Sequence, residues 1–386
     1  MAALPRVFRL DPQALAGVRA RALAGDVALA PALAALRREA DAALSAGPFS
    51  VMDKEALPLS GDRHDYVSYG PYWWPDPSAS GGLPYIRRDG ERNPEVLDGA
   101  RSDSPRLKAL AAAVDALALA WYLADDGLRY AEHAALLLRT WFVDPATRMN
   151  PHLEYAQAIP GIVDGRGIGI IDTSCLVALV DSVGLLGLSP AWGLTDQSAL
   201  EAWFAEYLAW LLASSHGQDE RRWHNNHGTW YDAQLASFAL FTGQADLARE
   251  TVAGSAVARI GTHITPDGRQ PHELERTKGF DYSVFNLNAF CALAGMAQKV
   301  GEDLWGYRAA NGGSIRTAID WLAPYTDGAL DWPYLQIEPL DRGRLYPLLL
   351  QAWIHYGDAA YPQAIARLDA AQTATQRANL LYAKAH

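Results

Sequence analysis

Hydrophobic residues recur along most of this chain in runs rich in alanine and leucine, and strict alternation of polar and apolar residues is rare. That pattern predicts helix as the dominant secondary structure. The clearest helix begins at Ser104-Pro105, where serine suits the N-cap and proline the first turn, and it continues through residues 106–126. Further helices are predicted at about 12–46, 129–142, 173–188, 196–215, 228–242, 245–260, 281–300, 313–323, 343–356 and 360–382.

Several of these helices are apolar on more than one face, so they need neighbours on both sides. We therefore expect an all-α fold, an (α/α) toroid or incomplete α/α barrel. Two segments, 47–100 and 143–171, are rich in Gly, Pro, Tyr and Trp and do not have a helical pattern. Loops of that length are usually functional. No low-complexity linker divides the chain, so a single domain over residues 1–386 is predicted, with both loops over one mouth.

Composition excludes some classes of partner. The net charge of -11 argues against nonspecific nucleic-acid binding, although a locally positive cleft can still bind an anion. No stretch approaches an apolar transmembrane run, so no membrane partner is expected. Cys175 and Cys291 lie in apolar runs and are predicted to be buried free thiols. The N-terminus has no apolar signal core, which predicts a cytoplasmic protein if the sequence is complete, and a periplasmic or secreted one if a signal peptide was removed.

Both long loops carry side chains suited to binding sugars. Aromatic rings stack on the C–H faces of sugars, and arginines pair with carboxylates. In the first loop the rings are Tyr66, Tyr69, Tyr72, Trp73, Trp74 and Tyr85, followed by Arg87 and Arg88. The alternative is that these rings form a small core of the loop itself. A network of structural turns is an equal alternative in the second loop, which carries, among glycines, the polar residues Asn150, His152, Tyr155, Gln157, Asp164 and Arg166.

The stretch WHNNHGTWYDAQ, residues 223–234, begins a predicted helix. Free N–H groups and a partial positive charge at a helix N-terminus favour contact between Asn226, His227 and an anion. A capped, hydrogen-bonded histidine is the structural alternative. Trp230 and Tyr231 are expected mainly to pack the helix.

About fifty residues later, HELERTKGFDYSVFNLNAF supplies Arg276 and Tyr282. Together with Asn226 and His227 they make a set suited to β-elimination from a uronic acid. The C5–H bond is a weak acid, so donors such as Asn and Arg must first stabilise charge on the carboxylate. A tyrosine whose pKa is lowered by nearby cations can then take the proton as phenolate, and a neutral histidine can serve as base or hold the charge.

Sugar stereochemistry leaves open whether His227 or Tyr282 acts as the base. In β-D-mannuronate and β-D-glucuronate the C5 hydrogen and the C4 oxygen lie on one ring face, so one tyrosine can act as base and then as acid. In α-L-guluronate they lie on opposite faces, and His227 opposite Tyr282 would be the second group.

Four ordered blocks carry a family resemblance. They are YGPYWWPDPSASGGLPYIRRDGERNPE, NPHLEYAQAIPGIVDGRGIGIIDT, NNHGTWYDAQ and ERTKGFDYSVFNLNAF. Over about residues 50–300 the sequence resembles the alginate lyase domain of polysaccharide lyase families 5 and 38, and the loops look closer to family 38. The resemblance implies an (α/α) toroid and metal-independent lysis of an anionic β-1,4-linked polyuronate without any cofactor.

The resemblance also implies roles for individual residues. Asn226 matches the carboxylate neutraliser, His227 the base or neutraliser, and Tyr282 the catalytic tyrosine. Arg276 matches the arginine, but the spacing from Arg276 to Tyr282 is one residue shorter than in family 5, which leaves Lys278 as a second cation to consider. Substrate contacts are predicted at Tyr72, Trp73, Trp74, Arg87 and Gln157.

The expected substrate is mannuronate-rich alginate or the related glucuronan. One alternative is a glycoside hydrolase on the same toroid, which needs a pair of carboxylates. The carboxylates considered for that pair are Asp164, Asp172, Asp232 and Glu273. The other alternative is a noncatalytic polyuronate-binding protein, for which the same arginines and aromatic rings would hold sugar without chemistry.

Overall fold

The computed structural model describes residues 3–124 and 127–383, and helices dominate that part of the chain. The helices are α1 (Pro12–Leu23), α2 (Ala30–Ala43), α3 (Ser104–Leu123), α4 (Leu128–Leu138), α5 (Leu176–Leu186), α6 (Leu194–Ala213), α7 (Ser215–Arg221), α8 (Asn226–Phe241), α9 (Ala245–Glu250), α10 (Val257–His263), α11 (Pro271–Leu274), α12 (Gly279–Lys299), α13 (Ile315–Leu322), α14 (Tyr346–Tyr356), α15 (Ala360–Ile365), α16 (Ala370–Thr375) and α17 (Ala378–Leu381). The strands are β1 (Val67–Tyr69), β2 (Trp73–Trp74), β3 (Ile86–Arg87) and β4 (Tyr155–Ala158).

The helices form two layers, and the inner layer consists of the helices that are apolar on most faces. α8 is the extreme case, with 14 of its 16 residues buried. Helix α3 packs on α5, α5 on α8, and α8 on α12, while α2 and α4 cover α3 and α6 covers α8. Near the chain ends, α17 contacts both α1 and α2. This layered arrangement confirms the predicted all-α toroid.

The predicted helices are mostly present, but some boundaries were wrong. The predicted helix 12–46 is two helices, because the chain turns at Gly25 with a φ of 76°. The predicted helix 360–382 is three short ones. The N-cap of α3 is Asp103 rather than Ser104, and residues 125–126 at the predicted end of that helix lie outside the described residues. Helices α7 and α11, which were not predicted, both flank the cavity described below.

The two long loops are tied to each other and to the inner helices. Strand β1 of the first loop pairs in parallel with β4 of the second, and β2 pairs antiparallel with β3. Beneath the first loop, the ammonium of Lys54 lies 3.2 Å from a carboxylate oxygen of Asp103, and both side chains are fully buried. The same oxygen of Asp103 accepts a hydrogen bond from the backbone N–H of Val67, which fixes β1 against the start of α3.

The structure also tests the predictions about membrane-spanning segments and free cysteines. The expectation that no stretch approaches a transmembrane run is wrong for Gly167–Leu186, which is long and apolar enough by length and composition. However, 67% of its most apolar window is buried inside the protein, as in the core helix of a soluble fold. Both cysteines are free as predicted; Cys291 is also buried, whereas the expected burial of Cys175 is only partial.

Candidate active site

One cavity of about 440 Å³ opens where the two long loops meet the first turns of α3, α8 and α12. Helix N-termini that converge on one space favour an anionic ligand. The predicted site residues that line the cavity are Asn226, His227, Arg276, Tyr282, Tyr72, Trp73, Arg87 and Gln157. The structure therefore brings together predicted site residues that are far apart in sequence. Trp74 is the predicted site residue that does not line the cavity.

Asn226 is the first residue of α8, and a buried carboxylate holds it at two points. Glu273 on α11 accepts hydrogen bonds from the Asn226 backbone N–H at 2.5 Å and from its side-chain Nδ2 at 2.7 Å. Burial raises the pKa of Glu273 to about 7, although the two hydrogen bonds from Asn226 act in the opposite direction. The Asn226 amide is thus fixed at the edge of the cavity.

His227 is held through one ring nitrogen. Its Nδ1 lies 2.9 Å from Oε1 of Glu220, a fully buried residue on α7 whose pKa is raised by desolvation. A carboxylate partner favours the tautomer that carries a proton on Nδ1, and this leaves the Nε2 lone pair available as a base. Asn225, the N-cap of α8, accepts a hydrogen bond from the His227 backbone N–H and so fixes the start of the helix.

Tyr282 lies in the first turn of α12 between a second tyrosine and an arginine. Its hydroxyl is 2.7 Å from the hydroxyl of Tyr72, and Nη2 of Arg276 donates to it at 3.2 Å. The Arg276 guanidinium also lies over the Tyr282 ring, 4.4 Å from its centroid. The expectation of a lowered tyrosine pKa is wrong: burial first, and then Tyr72, raise the pKa of Tyr282 despite the opposing effect of Arg276. The phenol is therefore neutral in the free protein.

Both arginines that were expected to bind substrate carboxylate are paired within the protein. Asp89, two residues after the end of β3, accepts from Nη2 of Arg276 at 2.9 Å and from Nε at 3.2 Å. The same carboxylate accepts from Arg87 at 2.8 Å, and the Arg87 side chain is 58% exposed. Lys278 pairs with Glu338 and does not line the cavity. Asp89 thus orients Arg276 toward Tyr282.

Gln157 lies beneath the cavity, and both ends of its side chain are occupied. Its φ is 49°, in the left-handed region, where a non-glycine residue is strained. Its Nε2 donates to Asp172 at 3.2 Å, and its Oε1 accepts from Arg166 at 3.0 Å. Asp172 in turn accepts from Ser68 at 2.6 Å. Gln157 therefore orients the Arg166 guanidinium as well as lining the cavity.

The aromatic residues of the first loop divide between the cavity and the loop's own packing. Trp73 lines the cavity. Trp74 does not: its indole N–H donates to the backbone oxygen of Glu91, and Arg88 lies over its ring. Tyr66 is fully buried and bonds to Asp172. Part of the alternative reading, a small core within the loop, is therefore correct.

Trp230 and Tyr231 of WHNNHGTWYDAQ pack the helix as expected, whereas Trp223 lines the cavity. Tyr231 is fully buried and donates to the backbone oxygen of Leu211, while the Trp230 ring packs 5.0 Å from that of Phe285. His224 is exposed and lies 4.6 Å from the ring of His272.

Carboxylates do not form a hydrolase pair in this cavity. Among the described residues that line it, Asp172 is the single acidic side chain. Asp232 is buried in an ion pair with Arg259, and Asp164 is exposed. In the described part of the chain, no three His, Cys, Asp or Glu side chains group closely enough to hold a metal ion. The geometry offers amide, imidazole, guanidinium and phenol groups instead.

The sequence matches the model of the alginate lyase family over residues 50–332. The structure is similar to that of an alginate lyase from Bacteroides ovatus, with a TM-score of 0.93, 38% identity, and coverage of 98% of this chain and 100% of the other. Alginate lyase A1-III from Sphingomonas species A1 has a similar fold at 16% identity, with a TM-score of 0.58 and 97% of each chain covered.

A tetrasaccharide complex of an A1-III histidine variant also has this fold, at 16% identity with a TM-score of 0.60, covering 98% of this chain and 97% of that one. No curated protein sequence matches significantly. These comparisons do not separate family 5 from family 38, so the closer resemblance to family 38 stays a prediction. From the matched residues and the shared fold, we conclude that the chain belongs to the alginate lyase family.

Proposed function

We propose that this protein is a polysaccharide lyase that cleaves mannuronate-rich alginate, or the closely related glucuronan, by β-elimination. The observation that carries the proposal is the meeting of Asn226, His227, Arg276 and Tyr282 at one cavity. Family membership supports the same reaction class. Glucuronate differs from mannuronate at C2, away from the reacting C4 and C5.

The first step assigned to the site is stabilisation of the uronate carboxylate. As the C5 proton leaves, negative charge moves onto that carboxylate, and a fixed hydrogen-bond donor at that position lowers the barrier. The Asn226 amide is suited to this role because Glu273 holds both its backbone and its side chain. A donor fixed in advance needs little reorganisation during the reaction.

His227 is assigned as the base. Its Nε2 takes the C5 proton, and the electron pair of the C5–H bond forms the C4=C5 double bond. The Glu220 carboxylate at Nδ1 then stabilises the imidazolium that forms, as carboxylates do for catalytic histidines elsewhere. This assignment follows from Tyr282, whose raised pKa keeps the phenol protonated in the free protein and so unable to accept the C5 proton.

Tyr282 is assigned as the acid. Its phenol gives its proton to O4 as the C4–O4 bond breaks, which leaves a new reducing end on one product and an unsaturated uronate on the other. Arg276 then stabilises the phenolate through its donor contact and its position over the ring. Tyr72 holds the Tyr282 hydroxyl in place before the reaction. In mannuronate both groups must face the same side of the sugar ring.

The test is an activity screen on polymannuronate, polyguluronate, glucuronan and hyaluronan. The unsaturated product absorbs in the ultraviolet, so a lyase gives an absorbance rise together with new reducing ends. We expect that rise on polymannuronate or glucuronan. New reducing ends without absorbance would establish a hydrolase, and binding of polymer with neither signal would establish a noncatalytic binding protein.

A further inference from the structure

Arg166 is a fixed cation at the cavity whose function the proposed mechanism leaves unexplained. It follows β4 on the second long loop and lines the cavity. Its Nε donates to the backbone oxygen of Gln157 and its Nη2 to the side-chain Oε1 of the same residue, both at 3.0 Å. The guanidinium carbon is 5.9 Å from the centroid of the Trp73 ring. These contacts fix the plane of the guanidinium beside an aromatic ring.

Arg166 differs from Arg87 and Arg276, the paired arginines of the cavity, in having no carboxylate of the described residues in direct contact. Arg87 and Arg276 share the carboxylate of Asp89, whereas among the described residues no carboxylate oxygen lies within ion-pair distance of Arg166. Lys108 and Arg92, which also line the cavity, are exposed to water. Burial lowers the pKa of Arg166 to about 10, although the more distant carboxylates of Asp172 and Glu220 act in the opposite direction. A partly desolvated cation with no carboxylate in contact is stabilised by a ligand that supplies one.

A connected set of hydrogen bonds holds Arg166 in place through Gln157. Gln157 holds it from a strained backbone conformation, and the other end of the Gln157 amide is anchored on buried Asp172. Ser68 ties the same region twice, since its hydroxyl donates to Asp172 and accepts from the Gln157 backbone N–H. Strain of this kind is retained where the surroundings require one geometry. In this protein the strained backbone of Gln157 fixes the Arg166 guanidinium at the cavity.

We propose that Arg166 binds the carboxylate of a uronate unit next to the one that reacts, while Trp73 stacks against that sugar. The inference rests on the proposed function and adds to it a residue that selects charged over neutral polysaccharide. An Nη edge that does not contact Gln157 remains for two charge-assisted hydrogen bonds to the carboxylate. Arg87, the arginine first predicted for this task, is mostly exposed and is already paired with Asp89.

The test compares Arg166→Met with the wild type in steady-state kinetics on polymannuronate. Loss of a charge-assisted contact that is made equally in the ground and transition states should raise KM about 10- to 100-fold and leave kcat within about threefold. Arg166→Lys should recover part of the KM because it restores the charge without the planar fork. Arg101→Met is the matched control, since it removes a loop arginine that is paired with Glu95 outside this cavity.

A binding measurement separates failure of this inference from failure of the proposed function. Calorimetric titration with a saturated mannuronate oligosaccharide needs no turnover, so it reports on Arg166 even if the wild type degrades no polymer. We expect the affinity of Arg166→Met to fall by the same factor as KM rises, with Arg101→Met close to wild type. An Arg166→Met variant with KM and affinity within twofold of wild type, or an equal loss in Arg101→Met, overturns the inference.

Discussion

Replacing Glu273 by glutamine tests how the site holds Asn226. Glu273 is 1% exposed and accepts two hydrogen bonds from Asn226, one from the backbone and one from the side chain. Glutamine has nearly the same shape but offers one acceptor oxygen and an amide that donates. The variant therefore cannot accept from both Asn226 donors, and it no longer titrates.

The magnitude follows from the shift in the Glu273 pKa from 4.5 to about 7, which burial causes. A carboxyl group whose pKa is higher in the folded state binds more protons there than in the unfolded state. Its contribution to stability is therefore lost as pH rises from 4.5 through 7. At about 1.4 kcal/mol per pKa unit, the wild type should lose about 3 kcal/mol of unfolding free energy from this group between pH 4 and pH 8. Glu273→Gln has no such loss.

Urea unfolding of both proteins at pH 4 and pH 8 measures this difference. The stability of Glu273→Gln relative to wild type should rise by about 3 kcal/mol between the two values. At pH 8 its kcat should fall roughly 10- to 100-fold, because Asn226 is no longer held by a carboxylate. Glu275→Gln, an exposed neighbour, is the control. A stability difference between Glu273→Gln and wild type that does not change with pH would refute the reasoning.

Two further predictions concern other buried charges. Lys54→Met should lower the unfolding free energy by about 3–5 kcal/mol, because it removes the nearer of the two described cations that pair with buried Asp103; the second, Arg106, is 3.6 Å away. A loss below about 1 kcal/mol in urea unfolding would contradict the importance of the Lys54–Asp103 pair. Glu220→Gln should keep His227 oriented but lower kcat roughly 10- to 100-fold with little change in KM, since the imidazolium loses its counter-charge. Steady-state kinetics checks this, and an unchanged kcat would remove Glu220 from the mechanism.

The helical fold was predictable because long apolar runs require burial on several faces. Helix α8 shows this most clearly, since almost all of it is buried. The breaks were harder to predict. Around Gly25 the alanine-rich composition continues on both sides of the turn, so the pattern does not mark it, and the same holds between α15 and α17. Local composition predicts that a segment is helical better than it predicts where the helix ends.

The candidate site was also predictable only in part. Asn226, His227, Arg276 and Tyr282 stood out in the sequence because the chemistry needs those residue types. Their partners did not stand out, because they meet only through the fold: Asp89 is 187 positions from Arg276 in the sequence.

The electrostatics of Tyr282 were predicted with the wrong sign for a similar reason. The sequence reveals a cation nearby, Arg276, but neither the burial of the phenol nor its contact with Tyr72. Glu273 was noticed only as a possible hydrolase acid, and its contacts instead assign it to holding Asn226. Burial and long-range pairing decide these roles, and neither is readable from spacing alone.

The most direct test of the central claim is Tyr282→Phe assayed on polymannuronate by the absorbance of unsaturated product, with oligosaccharide affinity measured in parallel. Phenylalanine keeps the ring under Arg276 but removes the proton that the leaving oxygen needs. We expect turnover to fall at least about 1000-fold while affinity stays within about threefold of wild type. Turnover within about tenfold of wild type in a variant that still binds the oligosaccharide would contradict the assignment of Tyr282 as the acid.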